Sequence, residues 1–259
     1  MTHSITLNKD GSVTTVLLDN QDKLNALNLA SWGELGRVMT ELSEDEDIRC
    51  VVFRGAGERA FCAGADIAEL PSVRGDGAGA RQYGAVTDAA IEAITGCRHP
   101  TVAAIRGPCT GGGLEIACAC DIRIAGASAR FGVPINRLGH VLGHLELKLV
   151  LVAAGQELLL EMLLEARIID AEEALRRGLV GRVVADGELD ATVRATAERI
   201  VEGAPLSNHT TKKFLRRLYD PAPLSEAEVD EVNSICDTDD YAEGLRAFLA
   251  KEKPVFEGK

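Results

Sequence analysis

Residues 107–121 read Gly107-Pro108-Cys109-Thr110-Gly111-Gly112-Gly113-Leu114-Glu115-Ile116-Ala117-Cys118-Ala119-Cys120-Asp121, and this stretch decides the fold. The apolar run from Thr101 to Ile105 just before it predicts a buried strand. The small, apolar segment from Leu114 to Cys120 predicts a helix. A strand therefore leads through three glycines into a helix start. Unpaired N–H groups and positive dipole charge at that start favour an oxygen that is negative or becomes negative during a reaction.

Glu115 is the only charged residue between Arg106 and Asp121, and it falls in the first turn of the predicted helix. An ionisable carboxyl group in an apolar helix, beside N–H donors, is a candidate general base. The alternative is that Glu115 complements the helix dipole from an exposed face.

The composition is that of a globular protein with a full core, folded as one large domain or as a core with a small appendage. No apolar run approaches the ~20 residues of a membrane span. Met1 to Ser4 lack the features of a signal peptide.

The net charge of −12 argues against nucleic acid and membranes as partners. The seven cysteines predict reduced thiols and a cytoplasmic location. Cys118 and Cys120 have no second pair at metal-ligand spacing, so no metal is predicted.

Before the central stretch, the pattern predicts a hairpin, three helices and a second buried strand. Pro71 to Gly79 is rich in glycine and charge and predicts a mobile loop that could cover a site. The remaining segments are a hairpin of Ile5–Asn8 and Val13–Asp19, a helix over 29–42 with Asn28 as N-cap, a strand over 48–53, a loop entering a short helix at Asp66, and a helix over 80–97.

After the central stretch, the pattern changes from mixed elements to helices alone. The predicted elements are short strands at 121–124 and 129–132, a helix over 145–164 broken at Gly155, a helix from Ala171 ended by Gly178, a last strand over 179–184, and helices at about 188–202, 207–218, 225–236 and 240–250. The order of elements predicts an α/β core followed by a helical tail.

A rival function rests on Gly55 and Gly57, which follow a predicted strand as in the first turn of a dinucleotide-binding unit. Ala60 replaces the third glycine, and the next residues do not begin a long helix, so the signal is weak.

Several motifs together resemble the crotonase, or enoyl-CoA hydratase/isomerase, superfamily, and the resemblance spans nearly the whole chain. The residues that carry it are Lys23-Leu24-Asn25-Ala26-Leu27, Phe61-Cys62-Ala63-Gly64-Ala65-Asp66-Ile67, Ala103-Ala104-Ile105-Arg106-Gly107, Gly111-Gly112-Gly113-Leu114-Glu115, Cys120-Asp121, Phe131-Gly132-Val133-Pro134, Ala171-Glu172-Glu173-Ala174 to Gly178-Leu179-Val180, and Glu243-Gly244 to Phe248.

The resemblance implies a crotonase-like spiral of ββα turns over residues 1–195, with the acyl-CoA site, and a C-terminal helical trimerisation region over 196–259. It implies a homotrimer or a dimer of trimers. It also implies an acyl-CoA thioester as substrate and no separate cofactor, since coenzyme A is part of the substrate.

By position, the resemblance assigns the oxyanion hole to the N–H groups of Ala65 and Gly112, which would polarise the thioester carbonyl. It places Lys251, in the terminal tail, within possible reach of a phosphate, on the same or a neighbouring subunit. The other residues assigned to substrate binding are Lys23, Leu24, Ala63, Asp66, Ile67, Gly111, Ile135 and Phe248.

This chain departs from the family where hydratases carry a second catalytic glutamate. Glu115 matches the first glutamate, but the second position is occupied by Ile135, which cannot exchange a proton. Three replacements are open: His140 and His144, which titrate near neutrality, and Glu146. The two histidines lack a third ligand for a metal.

The expected activity is that of an enoyl-CoA hydratase with Glu115 as acid or base. Two alternatives stay open. One is an isomerase or another acyl-CoA reaction of the superfamily. The other is a catalytically weak member that only binds acyl-CoA, as the loss of the second glutamate at Ile135 would favour.

Overall fold

A computed structural model describes residues 5–259, and the prediction about Met1 to Ser4 lies outside them. The strands are β1 Ile5–Asp10, β2 Val13–Leu18, β3 Cys50–Gly55, β4 Thr101–Ile105, β5 Pro108–Thr110, β6 Ile122–Gly126, β7 Arg130–Gly132, β8 Ile168–Asp170 and β9 Arg182–Val184. The α-helices are α1 Leu29–Glu44, α2 Leu70–Val73, α3 Gly77–Gly96, α4 Gly112–Ala119, α5 His144–Ala154, α6 Gln156–Leu164, α7 Ala171–Arg176, α8 Leu189–Val201, α9 Pro205–Arg217, α10 Glu226–Asn233 and α11 Asp239–Ala250.

The strands form two sheets. The larger has the order β1-β2-β3-β4-β6-β9 and the smaller β5-β7-β8. β1 and β2 pair antiparallel, whereas β2 to β9 of the larger sheet pair parallel. β4 and β6 lie in the larger sheet, and the strand that follows each of them lies in the smaller one. Successive strand pairs therefore wind from sheet to sheet, as the predicted ββα spiral requires.

The core lies on both faces of the larger sheet. Val51 and Phe53 of β3 point into the main cluster with α1, α3 and α4, while Cys50 and Val52 point to the opposite face, against α8. This alternation follows from the two-residue period of a strand. Because both faces are covered there, the central strands β3 and β4 are almost continuously apolar, which is why they were visible in the sequence.

The predicted hairpin and α1 are confirmed, and the Asn28 side chain accepts a hydrogen bond from the Ser31 N–H at 2.8 Å. The predicted loop over 71–79 is wrong in part. α2 forms at Leu70–Val73 rather than at Asp66, and α3 begins at Gly77. The Asp76 side chain caps α3 by accepting from the Gly79 N–H at 2.8 Å. The strands β5 and β8 were missed: β5 lies inside the glycine-rich stretch, and β8 directly precedes α7.

The helical tail packs back onto the core. α8 spans the predicted boundary at residue 195 and covers the second face of the sheet through Leu189, Val193 and Ala197. The division into two regions stays a prediction. Over residues 5–259, the longest helices are too short or too polar to cross a membrane.

Candidate active site

One cavity of about 360 Å³ opens at the N-terminal end of α4, where the glycine triplet was predicted to face a ligand. It is lined by Trp32, Ala63, Gly64, Ala65, Ile67, Leu70, Arg74, Tyr83, Thr87, Thr110, Gly111, Gly112, Glu115, Pro134, Ile135, Arg137, Leu138, His140, Leu142 and Glu146. The cavity therefore unites residues from α1, α3, α4 and α5 with the loops between them.

Two glycines bring the loop over 62–66 against the start of α4. Gly64 has φ +100°, and a Cβ there would lie 2.9 Å from the Thr110 carbonyl oxygen and 3.2 Å from the Gly112 nitrogen. A Cβ on Gly113 would lie 2.1 Å from the Cys62 carbonyl oxygen. Only glycine permits backbones to approach so closely.

This approach leaves two N–H groups beside the cavity. Over residues 5–259, the N–H groups of Ala65 and Gly112 donate no intramolecular hydrogen bond, although their neighbours Leu27 and Asp66 do. The Gly112 N–H is unpaired because it belongs to the first turn of a helix. Two unpaired donors on adjoining loops are the arrangement that stabilises a developing oxyanion.

Glu115 lies on the cavity side of α4 and is 5% exposed. The alternative that it sits on an exposed helix face is therefore wrong. Burial, followed by the charge of Glu146, raises the pKa of Glu115 well above the ordinary carboxyl value. A carboxyl group of this kind carries a proton near neutral pH and is able to donate it.

Glu146 is a second buried carboxyl group in the same cavity, 9% exposed and placed in the first turn of α5. Its side chain accepts a hydrogen bond from the Gly143 N–H at the N-terminus of that helix. Burial raises the pKa of Glu146, while this hydrogen bond acts in the opposite direction. Of the two carboxyl groups, Glu146 therefore has the environment that better supports the ionised form.

The other residues near the position of the second acid are less suited to proton transfer in the cavity. His140 lines the cavity and is half-buried, and burial, followed by the Arg74 charge, lowers its pKa. His144 is exposed at the start of α5 and does not line the cavity. Ile135 does line the cavity, at the position of the expected glutamate. The amide of Asn136 donates to the Leu164 carbonyl at 2.9 Å instead.

The residues assigned to substrate binding divide into two groups. Ala63, Ile67 and Gly111 line the cavity together with Ile135. The others do not line it: Lys23, Leu24, Asp66, Phe248 and Lys251.

Lys23 forms an ion pair with Asp66 at the rim of the 62–66 loop, and the hydrogen bond from this lysine lowers the pKa of Asp66. Phe248 is 79% exposed on α11, and Lys251 follows that helix.

Sequence reasoning missed several side chains of the cavity, among them Trp32, Arg74 and Tyr83. Trp32 packs against the start of α4, since a Cβ on Gly112 would lie 2.7 Å from its ring. The only sequence signal was that Trp32 is the one tryptophan of the chain, on the buried face of a predicted helix. Arg74 lay in the segment predicted as a mobile loop.

The weaker alternatives find no structural support in residues 5–259. No group of three metal-ligating side chains occurs there. After Gly57 no helix begins before α2, so the turn lacks the helix N-terminus that a dinucleotide pyrophosphate requires.

Comparisons with known proteins agree with this fold. The family model for enoyl-CoA hydratase/isomerase matches residues 8–259. A short-chain-enoyl-CoA hydratase from Clostridium acetobutylicum is 33% identical over 255 residues, covering 97% of this chain and 96% of that protein. The crystal structure of an enoyl-CoA hydratase/carnithine racemase from Magnetospirillum magneticum has a TM-score of 0.97 at 48% identity, covering 99% of this chain and 96% of that one.

A second crystal structure, of an enoyl-CoA hydratase from Bacillus anthracis, has a TM-score of 0.91 at 29% identity, covering 99% of this chain and 100% of that one. The fold is thus the crotonase fold, as the sequence resemblance predicted. Within that class, the chain belongs to the enoyl-CoA hydratase/isomerase family. It is a hydratase-like enzyme of acyl-CoA chemistry.

Proposed function

We propose that this enzyme reversibly adds water to the 2,3 double bond of an enoyl-CoA thioester, with Glu115 and Glu146 as its acid–base pair. The observation that carries the proposal is that two buried carboxyl groups and two unpaired N–H groups line one cavity. Glu146 supplies the second carboxyl group, which the family carries at the position occupied here by Ile135.

The N–H groups of Ala65 and Gly112 bind the thioester oxygen and stabilise the negative charge that forms there. Each such donor typically contributes about 2.7–4 kcal/mol to transition-state stabilisation. Withdrawal of electron density toward this oxygen makes C3 of the substrate electrophilic, and the enolate that forms when water adds to C3 accepts a proton at C2.

Glu146 acts as the base and Glu115 as the acid. The Glu146 carboxylate takes a proton from the water that attacks C3, and the Glu115 carboxylic acid donates a proton to C2. One water molecule is consumed, and one proton has moved from Glu115 to Glu146. Return of that proton through solvent completes the cycle. The contrasting environments of the two groups support this division, since opposite roles require separated pKa values.

Coenzyme A is part of the substrate, and the proposed reaction needs no other cofactor. The 62–66 loop and Ile67 provide backbone and apolar surface for the nucleotide end, beside the Lys23–Asp66 ion pair. The free thiols of the described cysteines fit a reducing compartment such as the cytoplasm.

We further propose that the chain self-associates through its helical tail. The tail exposes large apolar side chains, including Leu218 at 78% and Leu249 at 74%. Exposed apolar surface of this kind marks interaction sites. A trimer or a dimer of trimers is expected, and light scattering after gel filtration measures the mass.

Hydration of crotonyl-CoA by wild type, Glu115→Gln and Glu146→Gln tests the reaction. We expect each substitution to lower kcat about 10²–10⁴-fold, because each removes one proton-transfer group. Glu157→Gln, at an exposed glutamate of α6, is the matched control and should retain wild-type activity.

Other outcomes separate the alternatives. If only Glu115→Gln loses activity, Glu146 is not the second group and His140 becomes the next variant. If wild type exchanges the substrate protons with deuterated solvent or moves the double bond without adding water, the enzyme is an isomerase. If the thioester binds without any reaction, the chain is a binding protein and the hydratase proposal fails.

A further inference from the structure

The guanidinium group of Arg74 is a cation within the active-site cavity, and it forms no ion pair within residues 5–259. Burial raises the pKa values of Glu115 and Glu146, and the Arg74 charge opposes that rise; at His140 burial lowers the pKa, and the Arg74 charge acts in the same direction. Arg74 therefore lies at the reacting, acyl end of the cavity. In a chain of net charge −12, such a cation without a carboxylate partner requires an explanation.

Arg74 is also held in place. Its guanidinium carbon lies 5.0 Å from the centre of the Tyr83 ring, and Tyr83 is 3% exposed on α3. This cation–π contact holds the guanidinium group against the ring. The Nε of Arg74 is buried, and no acceptor lies within hydrogen-bond distance of it in the described structure.

The acidic side chains of its own segment are engaged elsewhere. Glu69 accepts a hydrogen bond from the Leu29 N–H at 2.5 Å, and Asp76 caps α3. Arg74 thus keeps its donors available for an acceptor that enters the cavity. A fixed, planar guanidinium group with free donors matches a carboxylate, which it binds through two parallel hydrogen bonds.

From this geometry we infer that the cavity contains a carboxylate subsite built on Arg74, so that the enzyme takes coenzyme A monothioesters of dicarboxylic acids. The inference rests on the proposed function in that it takes this cavity as the acyl site. The thioester end lies at Ala65 and Gly112, the reacting carbons lie between the two glutamates, and the distal carboxylate of the acyl chain binds Arg74.

Binding of saturated thioesters tests the subsite without any turnover. Isothermal titration compares succinyl-, glutaryl- and adipyl-CoA with butyryl-, pentanoyl- and hexanoyl-CoA of the same chain lengths. We expect wild type to bind at least one diacid thioester about 10- to 100-fold more tightly than its uncharged partner, the range typical of a charge-assisted hydrogen-bonded pair.

The variant Arg74→Met removes the charge and retains an apolar side chain of similar length. It should abolish the preference for the diacid and leave the affinity for the uncharged thioesters unchanged. Arg74→Lys should restore part of the preference, because a lysine keeps the charge but not the paired donors. Arg81→Met, at an exposed arginine of α3, is the matched control and should keep the full preference.

Two results would overturn the inference. One is a wild-type protein that binds no diacid thioester more tightly than its uncharged partner, a result that stands even if Arg74→Met does not fold. The other is an equal loss of affinity for both series in Arg74→Met, which would assign Arg74 to the coenzyme A moiety. A diacid preference without hydration of any enoyl-CoA would refute the hydratase proposal and leave the subsite in place.

Discussion

The chemistry of Glu115 depends on its surroundings more than on its residue type. The same carboxyl group on an exposed first turn of α4 would remain ionised, whereas 5% exposure beside Glu146 favours its protonated form. Glu146 was one of three candidates in the sequence, and only the tertiary position of α5 separates it from His144. Burial therefore decides the protonation state of Glu115, which its residue type does not.

Burial of Glu115 also predicts a pH dependence of stability. Its pKa is raised in the folded state, so the unfolded chain releases the proton at a lower pH than the native protein does. The native state then binds more protons, and the free energy of unfolding falls as pH rises from about 4.5, the ordinary carboxyl value, through the raised pKa. Glu115→Gln should flatten this decrease. Urea denaturation of both proteins at pH 5 and pH 8 measures it.

Glu157→Gln is the control for that measurement, because an exposed carboxyl group has the same surroundings in both states. It should keep the wild-type slope. An unchanged slope in Glu115→Gln would show that the buried carboxyl group does not hold its proton, and the assignment of Glu115 as the acid would then fail.

At the scale of elements, two contacts build the site: the 62–66 loop against α4, and α1 against α4. Both contacts require glycine, which has no side chain, because Gly113 faces the Cys62 carbonyl and Gly112 faces Trp32. The glycine triplet was visible in the sequence and the resemblance paired it with Ala65, but the contacts with the Cys62 carbonyl and with Trp32 were not predicted. These residues are distant in sequence and meet only when the sheets wind.

Gly113→Ala and Gly84→Ala form a matched pair of glycine substitutions within helices. A methyl group at Gly113 would lie 2.1 Å from a backbone oxygen, whereas none of the neighbouring atoms lies within 4 Å of the position of a methyl group at Gly84. We expect Gly113→Ala to lower the free energy of unfolding by about 1–3 kcal/mol, as overpacking does. Gly84→Ala should raise it by about 0.5–1 kcal/mol.

Urea denaturation measures both changes, and hydration activity should fall only in Gly113→Ala, because the shifted loop carries Ala65. Equal stability of the two variants would mean that the close approach of the 62–66 loop to α4 is not tight in solution.

At the scale of the whole molecule, one polar cluster fastens the helical tail to the sheet. Lys212 is 9% exposed, and its ammonium group lies 2.8 Å from the Asp121 carboxylate and 2.8 Å from the His99 carbonyl oxygen. Arg216 contacts the same carboxylate at 2.8 Å, and Asp121 also accepts from the Thr101 N–H. Asp121 follows α4, so this cluster links the tail to the end of the active-site helix.

Asp121→Asn should lower the free energy of unfolding by about 1.5–3 kcal/mol, because the ion pair becomes a neutral contact and leaves a buried ammonium group without its counter-charge. Lys213 lies beside Lys212 on α9 and pairs with Glu231 at the surface. Glu231→Gln removes this partner and should change the free energy of unfolding by less than about 1 kcal/mol. Guanidinium denaturation of both variants makes the comparison. Equal effects would show that the Asp121 cluster is no stronger than a surface pair.

The sequence by itself determined the class of this protein. Glycines at fixed positions, apolar strands and ordered motifs constrain the backbone locally, and local constraints can be read along a chain. The strand after Pro100, the helix carrying Glu115 and the crotonase fold were predicted for this reason. Only the tertiary structure decided which groups share the cavity. Arg74, Tyr83 and Glu146 come from separate elements, and their proximity and burial arise from packing, which leaves no periodic signal in the sequence.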